Sequence, residues 1–179
     1  MLHQATLIAL ALAFATPPTS HPASQAASPL AKPAGKAGIE LSPVTDKTFH
    51  DVVLKPRAGK AVLVSFWASY CVPCLAELPK LVAMRADVQK AGGDIVFVNV
   101  DPPGHPEQIA KALAQKGVTK LASLQVTNED PQPFIDTVDK RWAGEVPFNA
   151  IFGRDGTLKL TFSGEQKPED LKKAIDGAL

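Results

Sequence analysis

Residues Leu63 to Pro79 read LVSFWASYCVPCLAELP, an apolar run that breaks at two cysteines and continues with the spacing of a helix. The part before the break, Ala61 to Trp67, is short and rich in Val, Leu, Phe and Trp, the composition of a strand buried on both faces. Cys71 and Cys74 are the only cysteines in the chain, and the two residues between them put the thiols one helical turn apart, close enough to bridge. If the helix starts at Cys71, that sulfur lies among backbone N–H groups without intrahelical partners, at the positive end of the helix dipole. Such a setting favours the thiolate and draws the pKa below the roughly 8.5 of a free cysteine. Pro73 fits this placement, because a first-turn proline leaves no helical hydrogen bond unmade. The pair is expected at the carboxyl end of a central strand, where open α/β sheets carry their chemistry.

A C-x-x-C pair can serve as a redox dithiol, as half of a zinc site or as a structural bridge. Tetrahedral zinc takes four ligands and the chain has no second cysteine pair, so redox chemistry leads. A chain of 179 residues with 45% apolar and 21% charged content is one globular domain with extensions. Its 19 basic and 18 acidic residues form no electrostatic footprint for nucleic acid or an anionic membrane, and both partners are excluded. His50 and His105 have no ligand-like spacing to other candidates, so no metal site and no cofactor are expected.

Along the chain, Ile39 to Pro43 reads as extended and Thr45 to Val53 as a short helix, followed by a turn carrying Pro56 and Gly59. After the cysteines, Leu75, Leu78, Leu81, Val82, Met84 and Val88 mark one helical face that runs to about Ala91, with Pro79 inside it as a source of kinking. Strands are predicted at Asp94 to Asp101 and Leu121 to Val126, and helices at Glu107 to Gln115 and Pro133 to Trp142. Phe148 to Gly153 and Thr157 to Phe162 read as a hairpin around Arg154-Asp155-Gly156, and Pro168 to Leu179 as a closing helix. Strands alternating with helices argue a parallel sheet core with right-handed crossovers.

The pattern W-A-S-x-C-x-P-C-x-x-E-x-P resembles the thioredoxin fold, and more narrowly the TlpA/ResA/CcmG-like family of extracytoplasmic thiol–disulfide oxidoreductases. The likeness covers roughly residues 39 to 179 and is most specific at 63–79 and 144–156. It implies an α/β thioredoxin fold, a central mixed sheet flanked by helices, with a βα insertion between the C-x-x-C helix and a cis-proline loop. It also implies a redox-active Cys71–Cys74 disulfide, with Cys71 as nucleophile and Cys74 as resolving thiol. In Gly144-Glu145-Val146-Pro147, the resemblance makes Pro147 the cis-proline of the substrate loop and leaves the backbone of Val146 free to pair with an extended substrate. Trp67, Tyr70, Val72 and Pro73 complete the implied substrate-binding surface.

Glu77 lies three residues beyond Cys74 on the same helical face, where a carboxylate can take the proton of the resolving thiol. Thioredoxin keeps an acid on the strand before the cysteines, whereas this chain has Ser65 there. Two further departures alter the partner-facing surface: Tyr70 stands where Trp is usual, and Phe148-Asn149 where small hydroxyl residues are usual. The expected activity is reduction of disulfides in partner proteins, among them cytochrome c maturation or copper-site proteins, with an upstream dithiol as electron donor. A module holding a soft ion such as Cu(I) on the same cysteines is the alternative from another class, and an interaction domain with a structural bridge is a third.

The amino terminus carries an 11-residue apolar run, Ala5 to Ala15, short of the roughly 20 residues needed to span a bilayer and matched to a signal-peptide core. Residues 1–15 are therefore expected to be a signal peptide, with a second candidate cleavage site near residue 26, and residues 16–38 a disordered Pro/Ala-rich linker. The expected product is a soluble domain, residues 39–179, in the periplasm or another extracytoplasmic compartment. No Lys or Arg precedes the apolar run, and an uncleaved, membrane-anchored form is the alternative.

Overall fold

The computed structural model describes residues 38–179. The expected leader, and all of the expected linker but its last residue, lie outside the described residues. Six strands form one mixed sheet: β1 (Ile39–Val44), β2 (Ala61–Trp67), β3 (Gly93–Asn99), β4 (Leu121–Val126), β5 (Phe148–Phe152) and β6 (Leu158–Ser163). Their order across the sheet is β1-β4-β3-β2-β5-β6. The pairs β1–β4, β4–β3 and β3–β2 are parallel, and β2–β5 and β5–β6 are antiparallel. Among the described residues three α-helices connect them, α1 (Val72–Lys90), α2 (Pro106–Ala114) and α3 (Gln132–Val138), and α4 (Pro168–Asp176) follows β6.

Strand alternation sends successive side chains of β2 into two separate cores. Leu63 and Trp67 face α1, α2 and α4 together with Leu78, Leu81, Ile109, Leu113, Leu171 and Ile175. Val62, Val64 and Phe66 face the opposite layer, where Phe49, Val53, Phe134, Val138 and Trp142 pack. Every residue of β2 and β3 is buried, which explains why both read as continuous apolar runs rather than alternating ones.

Two expected helices differ in the structure. The one predicted at Thr45 to Val53 forms later, as a π-helical turn over His50–Leu54 followed by a 3₁₀ turn over Lys55–Arg57. The helix predicted through Trp142 ends at Val138, where Asp139 turns extended (φ −159°, ψ 121°) and accepts from the backbone N–H of Arg141 at 2.9 Å. Trp142 stacks on Phe148 instead, with ring centroids 4.6 Å apart and 8° between planes. Pro79 is accommodated within α1, which runs through it for 19 residues.

A buried ionic clip joins the start of β3 to its neighbours. Asp94 accepts from Arg57 Nε at 2.8 Å, Arg85 Nε at 3.1 Å and Gln89 Nε2 at 2.9 Å. Burial alone pushes this carboxyl up, but Arg85 and the other donors outweigh it and hold the carboxyl below its usual value.

Candidate active site

The cysteines sit where β2 gives way to α1. Cys71 is the N-cap of α1 and its Sγ accepts the backbone N–H of Cys74 at 3.2 Å, the geometry that satisfies one orphan donor of the first turn. The two are joined in a disulfide, with S–S 2.04 Å and Cα atoms 5.3 Å apart. Both sulfurs belong to a mostly closed site, Cys71 being 7% exposed and Cys74 1%. The access is at Cys71, between two apolar side chains that stand in solvent: Tyr70 is 68% exposed and Val72 71%. Pro73 is half-buried beside them.

The loop entering the helix is tied down by a network that the sequence reading does not contain. Asp101, just past the end of β3, accepts from the Ser69 backbone N–H at 2.8 Å and the Ser69 hydroxyl at 2.9 Å. Asn99 Nδ2 donates to the same carboxylate at 2.6 Å, and Gln125 Nε2 donates to the Asp101 carbonyl at 3.3 Å. The ends of β3 and β4 thus hold the chain two residues before Cys71. The signal available in advance was positional: Asn99 and Asp101 are polar residues at the carboxyl end of the strand next to β2.

Trp67, expected on the substrate surface, is buried behind the cysteines and donates from Nε1 to Ser123 Oγ at 3.2 Å. It forms the floor of the site. Tyr70 also lines a pocket of about 540 Å³ together with Val100, Phe134, Ile135 and Trp142.

The register of β2 with β5 brings the 144–147 loop to the same end. Phe66 pairs with Phe148, so Pro147 lies opposite Trp67, and half-buried Val146 packs against the cluster that contains both cysteines. The Val146–Pro147 peptide bond is cis. Val146 makes no backbone–backbone hydrogen bond among the described residues, while its neighbours are fixed: Glu145 O accepts from Trp142 Nε1 at 2.8 Å and Pro147 O from Gly164 N at 2.8 Å. Gly144 adopts φ +87°, so a side chain at this position would strain the backbone, and its Cβ, 2.9 Å from Ile135 Cδ1, would require the end of that side chain to shift.

Glu77 is 1% exposed, on the buried face of α1 one turn beyond Cys74. It is no solvated helix carboxylate. Asn149 Nδ2 lies 3.4 Å from each of its oxygens, and Gln166 N donates to Oε1 at 3.3 Å. Burial pushes its carboxyl above the usual value, with Glu165 adding to the rise and Asn149, Gln166 and Lys80 opposing it. Among the described residues no cluster of three or more His, Cys, Asp or Glu side chains could hold a metal ion, and His50 and His105 are exposed beside Asp51 and Glu107.

The thioredoxin family profile matches residues 40–146, most of the sheet and the whole C-x-x-C region. The chain belongs to the thioredoxin family. It is similar to thiol-disulfide oxidoreductase ResA of Geobacillus kaustophilus (strain HTA426), at 25% identity over 134 residues that cover 74% of this chain and 71% of that protein. Among solved structures it resembles a putative thiol:disulfide interchange protein DsbE from Chlorobium tepidum, with TM-score 0.55 and 27% identity, covering 70% of this chain and 84% of that one. It also resembles the pneumococcal exposed lipoprotein thioredoxin from Streptococcus pneumoniae strain TIGR4, with TM-score 0.50 and 26% identity, covering 69% and 89%. Within the thioredoxin family these relatives are of the TlpA/ResA/CcmG type, and the enzyme is a protein thiol–disulfide oxidoreductase.

Proposed function

We propose that this oxidoreductase acts outside the cytoplasm and reduces disulfides in partner proteins, with Cys71 as nucleophile, Cys74 as resolving thiol and Glu77 as proton acceptor. The observation that carries the reading is the position of Cys71: an N-cap sulfur that accepts the Cys74 N–H at 3.2 Å and opens between exposed Tyr70 and Val72. In the reduced protein those helix-terminal N–H groups favour a Cys71 thiolate.

The thiolate attacks a substrate disulfide, one substrate sulfur bonds to Cys71 and the other leaves with the electron pair. Cys74 then gives its proton to Glu77 and bonds to the Cys71 sulfur, and the second substrate sulfur departs as thiolate. The substrate gains two electrons and the enzyme ends as the Cys71–Cys74 disulfide, to be reduced again by an upstream dithiol. Tyr70, Val72, Pro73 and Val146 form the surface for the substrate segment, Pro147 shapes its loop, and the pocket beside Tyr70 receives an apolar side chain near the substrate cysteine.

The extracytoplasmic setting rests on the apolar leader at residues 1–15 and linker at 16–38, which precede the domain at 39–179, and on similarity to a protein described as an exposed lipoprotein. Cytochrome c maturation and copper-site proteins are the client classes to which the family resemblance points.

The following measurements test this reading. Thiol trapping in cells should find the pair mostly reduced, and a mostly oxidised pair would reverse the direction. Insulin should be reduced with a dithiol as donor, and stoichiometric uptake of Cu(I) without turnover would make the protein a metal module instead. Cys71 should alkylate at mildly acidic pH ahead of Cys74, and Cys74→Ser should accumulate mixed disulfides; equal reactivity of the two thiols contradicts the assignment.

A further inference from the structure

Beneath α1, two neighbouring strands each bury one polar side chain among apolar ones. Ser65 of β2 and Asn149 of β5 are cross-strand partners. Both alternate onto the face shared by Leu63, Trp67 and Ile151, against which α1 packs. Glu77 reaches Asn149 from the helix side. Polar atoms persist in such a layer when they satisfy one another, and here one of them does not. Asn149 is 0% exposed, its Nδ2 reaches both Glu77 oxygens at 3.4 Å, and its Oδ1 has no partner among the described residues.

An orphan oxygen at this place is what an ionised neighbour leaves. An ionised carboxylate only accepts hydrogen bonds, so it can engage Nδ2 and never Oδ1. A neutral carboxyl carries an O–H, and a small rotation of the amide turns the contact into a two-point pair: N–H to the carboxyl C=O, and carboxyl O–H to Oδ1. Both edges are then satisfied without water. A hydroxyl carries its donor and acceptor on one atom, whereas an amide carries them on two, which can meet both oxygens of a carboxyl side by side.

We propose that Asn149 is a positioning residue for Glu77: its amide donates to the carboxylate through Nδ2 and takes the acid proton on Oδ1 when the carboxyl is neutral, so that one pair of buried side chains holds Glu77 in place as it gains and loses its proton. The kinetic consequence rests on the reading of Glu77 as proton acceptor for Cys74; the pairing itself does not. The other groups facing this carboxyl are few. Gln166 N donates to it from the β6–α4 loop, Glu165 of that loop and Lys80 of α1 act on it through charge, and from the strands, among the described residues, neutral Asn149 bonds to it.

The test is an NMR titration of the isotope-labelled full chain in its disulfide form, in which neither cysteine titrates. The Asn149 side-chain amide resonances should move with the same midpoint as the Glu77 carboxyl carbon, and should stay flat in Glu77→Gln. Asn149→Leu should shift the Glu77 midpoint by less than about half a pH unit, because the ion loses one charge-assisted hydrogen bond while the acid loses two neutral ones, each roughly half as strong. An Asn149 amide that ignores the Glu77 titration, or a midpoint raised by about one pH unit or more in Asn149→Leu, which would mean that the amide serves the ion alone, overturns the proposal. Rapid kinetics of Glu77→Gln separate the two ideas. An unchanged resolving step removes the proton-acceptor role and leaves a tracking Asn149 amide as support for the pairing, whereas a slowed step with a flat amide keeps the role and removes the pairing.

Discussion

Glu77 is a carboxylate placed where a carboxylate is costly, and the cost has a sign that can be measured. Its pKa in the folded protein is raised, chiefly by burial, above the 4.5 of a free side chain. The native state therefore holds a proton that the unfolded chain has released, and stability falls as pH rises from about 4.5 through the folded pKa. Gln does not titrate and resembles the neutral acid in shape and donor pattern. Glu77→Gln should match wild type in urea unfolding at acid pH and become the more stable protein as pH rises, the gap levelling off above the folded pKa. The same substitution should slow the resolving half-reaction by about 10²–10⁴-fold, the usual worth of general-base assistance, while leaving attack by Cys71 intact. A stability gap that does not change with pH would mean that the folded and unfolded pKa values are equal. How much of this residue was legible beforehand is instructive: the i+3 spacing from Cys74 put Glu77 on the right face, but its companion is Asn149, 72 residues away. Sequence spacing reports partners on one helix, and the partner here comes from strand register.

At the scale of elements, the site is a helix start held in place by its neighbours' ends. Asp101 carries most of that restraint, accepting three hydrogen bonds at 2.6, 2.8 and 2.9 Å, two of them from Ser69. Asp101→Ala should lower the unfolding free energy by about 2 kcal/mol, since several partners of a charged group are left without it. It should also slow mixed-disulfide formation, because the loop that presents Cys71 loses its tie to β3; stopped-flow attack rates equal to wild type would show that α1 alone positions the sulfur. The clip at Asp94 works at the other end of β3 and predicts a different pH dependence. Its folded pKa lies below the ordinary 3.8, so the stability it supplies is present above that value and is lost as pH falls through the folded pKa. Asp94→Asn should cost about 3 kcal/mol near neutral pH, as breaking a largely buried ion pair does, with the difference from wild type closing only below about pH 4. A constant difference down to pH 2 would mean that the ion pairs contribute nothing beyond packing. β2 and β4 were readable to the residue because each is a short apolar run with clear turn signals, whereas α3 was read too long. Trp142 continues the helical spacing of Phe134, Ile135 and Val138, yet its ring belongs to the stack on Phe148 that the β5 register creates.

For the molecule as a whole, the sheet is covered on both faces by segments drawn from residues 38–179. One core joins α1, α2 and α4 to the sheet, and the other joins the 45–58 segment, α3 and Trp142 to its opposite face. β1, one of the two edge strands of the sheet, is paired along its full length with β4, from Ile39↔Leu121 to Val44↔Val126. Every residue assigned to the chemistry, from Trp67 through Pro147 and Asn149, lies inside those bounds. A chain beginning at Gly38 should therefore fold cooperatively, with a single unfolding transition by both near- and far-UV circular dichroism. It should reduce insulin at a rate within about twofold of the longer protein, since no group that touches substrate has been removed. The opposite cut is the control: starting at Thr45 removes β1, uncovers the edge of β4 and takes Val44 from the second core, and should yield a chain that aggregates. If the Gly38 form instead loses its cooperative transition while the full chain keeps one, the preceding residues are part of the fold, and the assignment of residues 16–38 as a linker fails.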